Sequence, residues 1–124
     1  MNKKLKELLP QIEERLMSDD IEKFKIGITE QEIEKRLADY KNERYEQIGA
    51  IAIGEIPDTL QQAEKYLIDY FRGNKKCMNI DDGGNGNVDN ADKLYIVVEF
   101  SPAKTAEDVH RYNVPLFNFN PVKI

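Results

Sequence analysis

Phe24-Lys25-Ile26-Gly27-Ile28-Thr29-Glu30-Gln31-Glu32 changes its period halfway along. Up to Ile28, apolar residues alternate with polar or small ones, the period of a strand with one buried face. Thr29-Glu30-Gln31-Glu32 then has the form of a capping box: the Thr29 hydroxyl takes the Glu32 amide and the Glu32 side chain reaches back. A strand over about 23–28 therefore leads directly into a helix over about 30–42, which buries Ile33, Leu37 and Tyr40. A strand followed at once by a helix, in a chain of 124 residues, defines a small α+β domain.

Downstream, Tyr45 to Glu55 places Ile48, Ala50 and Ala52 on one face and Ile51 and Ile53 on the other. This predicts a strand over about 45–54, buried on both sides and ended by Ile56-Pro57. Asp58 is a suitable N-cap for a helix over about 59–72, and Gly73 is a suitable residue just past its end. Lys93 to Phe100 (KLYIVVEF) is the clearest strand in the chain. Upstream, Leu5, Leu8, Leu9, Ile12 and Leu16 recur at helical spacing over 3–17, with Pro10 expected to kink or interrupt that helix. Ser101-Pro102 opens a short helix to about Arg111. The apolar tail, Val114 to Phe119, is expected to pack on this subunit or a neighbour and to supply a fourth strand over 114–119. The predicted fold is a small mixed or antiparallel sheet of three to four strands flanked by three helices, in a single domain over 1–124.

Composition narrows the function. Eighteen basic against twenty-three acidic residues give a net charge of −5, which disfavours a duplex nucleic acid partner, because such binding rests on neutralised phosphates. No apolar run reaches the length of a membrane helix, and the charged start Met1-Asn2-Lys3-Lys4 is unlike a signal peptide. The single cysteine, Cys77, excludes an internal disulfide and fits a cytoplasmic setting. With 33% charged residues the chain is rich in surface, and assembly as a homo-oligomer would bury more of it.

Residues 22–80 resemble a GIY-YIG nuclease core. The strand Phe24-Lys25-Ile26-Gly27-Ile28-Thr29 is similar to that family's second motif, and Arg36 follows on a helix as the family's arginine does. Ala63-Glu64-Lys65-Tyr66-Leu67 looks like the helix that carries the family's metal-binding glutamate, with Asn79 further on. The resemblance implies that Arg36 holds a phosphate and that Glu64 would hold a divalent metal in a nuclease. Two departures stand against bond cleavage. The family's opening strand has no counterpart, a helix at 3–17 standing in its place, and Phe24 occupies the position of the family's second tyrosine. In size, helix-first order and Lys/Ile/Asn/Glu-rich composition the chain is also similar to the phage-encoded Thoeris anti-defence proteins. That similarity implies a non-catalytic, oligomeric protein that sequesters a cyclic ADP-ribose isomer in the host cytosol, with the ligand at or near a subunit interface and with no cofactor.

Such a ligand needs arginines or backbone amides for phosphate, an aromatic face for the base and Asp or Asn for ribose hydroxyls. Residues 81–92 form a loop rich in Gly, Asn and Asp that offers amides at Gly83 and Gly84. Phe71 and Arg72 precede it, Asn90 and Asp92 close it, and Arg111 and Tyr112 follow the last long strand. Together with Arg36 these make up the candidate ligand site. Each has a plainer reading: Phe71 as core, Arg36 as a solvated helix arginine, Glu64 as an ordinary helical glutamate. The 81–89 segment is loosely like a calcium loop but lacks its closing glutamate. His110 and Cys77 have no partner in sequence that would make either catalytic.

Overall fold

The computed structural model describes residues 2–80, 90–102 and 114–124. Gly83, Gly84, Arg111, Tyr112 and His110, the calcium-like segment and the short helix expected to end near Arg111 lie outside them. The described chain is α+β, as its sequence predicts. Its elements are α1 (Lys3–Leu16), β1 (Ile21–Thr29), α2 (Ile33–Ala38), a 3-10 turn (Lys41–Glu43), β2 (Gln47–Ile53), α3 (Pro57–Phe71), β3 (Lys93–Phe100) and β4 (Val122–Lys123). The sheet is mixed, with strand order β1-β3-β2-β4. The neighbours of β3 are both antiparallel to it, and β4 runs parallel to β2.

The strand β3 sits in the middle and divides the side chains. Leu94, Ile96, Val98 and Phe100 point into a main core with Phe24, Ile26 and Ile28 of β1 and the apolar faces of α1 and α3. Tyr95 and Val97 point the other way, into a smaller cluster with Tyr40 and Tyr45, against which Ile33, Leu37 and Ile48 pack. Burial of Leu5, Leu9, Ile12 and Leu16 fixes α1 to the main core, each contributing on the order of 1.5–3 kcal/mol of transfer free energy.

Several local expectations are corrected. Pro10 does not interrupt α1: it is exposed, and the helix runs through it from Lys3 to Leu16. Instead of a capping box, Thr29 Oγ1 accepts from the Gln31 amide at 3.0 Å, and α2 starts only at Ile33. The helix is six residues long because the chain tightens into the 3-10 turn, which Arg44 leaves in the left-handed region at φ 70°. The helix α3 starts one residue before Asp58, with Pro57 at a position where its missing N–H costs nothing, and Asp58 joins the first turn. Gly73 adopts φ +86° just past the end of α3, as expected. The strand β2 is not buried on both sides throughout: a bulge between Ala50 and Ala52 turns both Ile51 and Ala52 into the main core and leaves Ile53 42% exposed. The tail makes no strand over 114–119. Leu116 is buried and Phe117 and Phe119 pack on the core, while the fourth strand falls at Val122–Lys123.

The outer edge of β1 is closed by a short return of the chain. The Phe24 amide donates to the Lys76 carbonyl at 2.8 Å, and the Met78 amide donates to the Phe24 carbonyl at 2.9 Å. One step along, the Asn79 side chain takes over the ladder. Its Oδ1 accepts from the Ile26 amide at 2.9 Å and its Nδ2 donates to the Ile26 carbonyl at 2.8 Å. Asn79→Ala therefore strands two backbone groups and should lower stability by about 1–3 kcal/mol in urea unfolding. An unchanged midpoint would show that water replaces the amide without loss.

Candidate functional site

Arg36 is carried by α2 onto the tyrosine face of the sheet. Its Nε donates to the Tyr95 hydroxyl at 3.0 Å, and its Nη1 bonds Asp39 at 3.0 Å. The guanidinium carbon lies 5.2 Å from the Tyr40 ring centroid and 5.7 Å from that of Tyr95. The Tyr40 and Tyr95 hydroxyls share a buried hydrogen bond of 2.6 Å. The guanidinium is thus aimed by two ring faces and a phenol, a preorganised placement for a group that recognises phosphate. Its Asp39 partner is about half exposed, so that ion pair is weak competition for an incoming anion.

Gly27 makes this arrangement possible. It pairs with Tyr95 across the β1–β3 ladder, and a Cβ at this glycine would collide with the Tyr95 hydroxyl. The Tyr95 phenol occupies the space over Gly27 that a side chain would fill.

Two lysines of β1 share the face. The Lys23 ammonium lies 4.5 Å from the Tyr45 ring centroid, donates to the Glu43 carbonyl at 2.7 Å and faces Glu99 at 3.7 Å. It ties the 3-10 turn to the sheet. Glu99 Oε2 is sealed from solvent and makes no hydrogen bond, so the Lys23 charge is what compensates it. The Lys25 ammonium lies 5.8 Å from the Tyr40 centroid. Burial pushes the Tyr45 phenol up to about 12, with the carboxylate of Glu43 and the charges of Tyr40 and Glu99 adding to the shift. Burial likewise raises Tyr95, reinforced by its bond to Tyr40 and opposed by Arg36. For Arg36, burial works against the charge, but the Tyr95 bond and the surrounding phenol and carboxylate oxygens outweigh it and raise the value.

The remaining predicted residues are dispersed. Phe71 is a core residue: its ring meets Phe24 edge-on at 5.1 Å, so its face does not form an open stacking platform. Arg72 follows it and pairs with Asp69 at 2.6 Å. Both border a cleft of about 330 Å³ with Glu13, Met17, Tyr70 and Asn74. Because α3 packs on the main core, this cleft lies on the face of the sheet opposite Arg36, and the proposed cluster does not assemble as one site. Asn90 is exposed. Asp92 is a junction: its amide donates to the Thr29 carbonyl at 3.2 Å, its carbonyl accepts from Gly54 at 2.9 Å, and its carboxylate holds Lys93 at 2.9 Å. A second groove of about 430 Å³ runs between α1 and the tail, with Arg15 and Leu116 among its lining residues. The Arg15 guanidinium is committed there to Asp20, Ser18 and the Leu116 carbonyl.

Glu64 belongs to α3 and so lies across the sheet from Arg36. Among the described residues no three His, Cys, Asp or Glu side chains gather as a metal site would require. Burial pushes the Cys77 thiol up, against a lowering contact from Asn79, away from nucleophilic reactivity. No described helix is long and apolar enough to cross a membrane. No family model, curated protein or solved structure matches the chain.

Sequence reasoning placed Arg36 but missed Tyr40, Tyr95, Lys23 and Lys25 as its companions. The signal was available in the alternation of KLYIVVEF, which sets Tyr95, Val97 and Glu99 on one face and Leu94, Ile96 and Val98 on the other.

Two predictions follow from this geometry. Gly27→Ala should cost about 1–3 kcal/mol in chemical unfolding by overpacking against Tyr95, and wild-type stability would mean the ring has room to move. Between the ordinary phenol value of 10.0 and about 12 the unfolded chain sheds the Tyr45 proton while the folded chain keeps it, so stability should fall as pH rises through that window. Absorbance titration at 295 nm should show the delayed phenolate, and Tyr45→Phe should remove that component.

Proposed function

We propose that this protein binds and withholds a cyclic ADP-ribose-type nucleotide signal without transforming it, as a viral counter-defence protein directed against Thoeris immunity. The observation that carries this reading is the Arg36 guanidinium, aimed by Tyr40 and Tyr95 and placed across the sheet from Glu64. A phosphate-directed arginine remains, while the carboxylate that would hold a catalytic metal is on the other face. The endonuclease alternative needs both groups at one scissile phosphate. Phe24, buried in the main core, brings no phenol to help activate water. The net charge of −5 favours a small ligand over a duplex.

Sequestration requires only tight binding and slow release, since an effector responds to free ligand. The same reading places the protein in the cytoplasm of an infected cell, acting as a homo-oligomer with the ligand at or near a subunit interface.

Purified protein incubated with nucleotide extract and then heated should release an intact cyclic ADP-ribose isomer, identified by mass spectrometry. It should leave plasmid DNA uncut with Mg²⁺ or Mn²⁺. Metal-dependent nicking that is lost in Glu64→Gln, with nothing released on heating, would replace this reading with the nuclease.

A further inference from the structure

The half-buried cations of the tyrosine face are paired with carboxylates, with one exception. Lys23 faces Glu99 at 3.7 Å, and Arg36 faces Asp39 at 3.0 Å. Lys25 projects from β1 onto the same face, half-buried, and among the described residues it has no carboxylate and no hydrogen-bond acceptor. Its ammonium lies 5.8 Å from the centroid of the Tyr40 ring, which the Arg36 guanidinium approaches to 5.2 Å. Two cations drawn to one ring repel each other, and a ring face compensates an ammonium less well than an anion does. Partial withdrawal from water makes that deficit more costly. Lys25 therefore stands beside Tyr40 as a charge that no described carboxylate pairs with, in a chain whose net charge is −5.

We propose that Lys25 and Arg36 grip one phosphoryl group between them at the Tyr40 ring, Lys25 being the second phosphate contact of the site. The inference rests on the phosphate-binding reading above and narrows it to a small molecule bearing a phosphate or diphosphate. Arg36 supplies a planar fork, and Lys25 supplies a point charge that follows the anion wherever the fork orients it. Lys23 takes no part, since Glu43 and Glu99 already hold it. A long polyanion would need a row of such contacts, and acidic residues outnumber basic ones, twenty-three to eighteen.

Calorimetric titration of the full chain with pyrophosphate at low ionic strength tests this. Wild type should bind; Lys25→Met should weaken binding about tenfold to hundredfold, the effect of losing one charge-assisted contact. Lys25→Arg should restore it, and Lys65→Met, at an exposed position of α3 across the sheet, should stay within about twofold of wild type. Matching thermal melts for Lys25→Met and wild type exclude a folding artefact, and Lys25→Gln serves if Lys25→Met unfolds. Wild-type affinity in both Lys25→Met and Lys25→Gln overturns the proposal, as does binding of a single-stranded oligonucleotide with no binding of pyrophosphate. The two readings separate cleanly. If Lys25→Met releases as much nucleotide on heating as wild type, the Lys25 contact falls and sequestration stands. If neither releases nucleotide but pyrophosphate binding depends on Lys25, the contact stands and sequestration falls.

Discussion

Everything in this molecule is referred to β3. It is hydrogen-bonded on both sides and buried on both faces, and its alternation of leucine, isoleucine and valine with tyrosine, valine and glutamate makes the two halves of the protein chemically different. One half is a dry apolar core between the sheet and the two long helices. The other is a polar aromatic layer under a single short helix. The layer tolerates polar atoms because they satisfy one another: Tyr95 accepts from Arg36 and bonds Tyr40, and Glu99 is compensated by Lys23. A helix of six residues has little stability of its own. What holds α2 in place is this layer, so the element that carries the proposed ligand contact is fixed by the residues that aim it.

The parts of the fold legible in the sequence were those set by strong periodicity. The helix at the N-terminus, the central strand, α3 and the first strand all fell within a few residues of their observed limits, because each buries a regular stripe. The misplaced parts were those decided by tertiary contacts. The helix α2 is shorter than its pattern because Tyr40 turns inward to the sheet and the chain tightens after it. The bulge in β2 has no signature in Ile-Gly-Ala-Ile-Ala-Ile, where alternation can be read in either phase. The tail kept its predicted apolar role but placed its strand at the very end, beyond Phe119.

The site was legible residue by residue but not as an assembly. Arg36 and Phe71 were read as members of one candidate ligand site, yet β3 stands between them. A linear sequence does not reveal which face of a sheet a following helix will cover when both faces are buried. Tyr40, Tyr95 and Gly27 were each visible, but only the antiparallel register brings them together, with the glycine directly opposite the ring that needs its space.

The Asn79 amide, imitating a peptide group beside Ile26, gives the molecule a handedness in how it could meet its own copies. A bare strand rim is a template for further strands and so for fibrils. On the β1 side that template is capped by a side chain that presents no continuing backbone. On the far side, β4 pairs only with Ala52 and Ile53, leaving the first part of β2 without a strand beyond it among the described residues. Strand addition at Phe24 and Ile26 is therefore blocked, because the backbone groups there already have partners from residues 76–79.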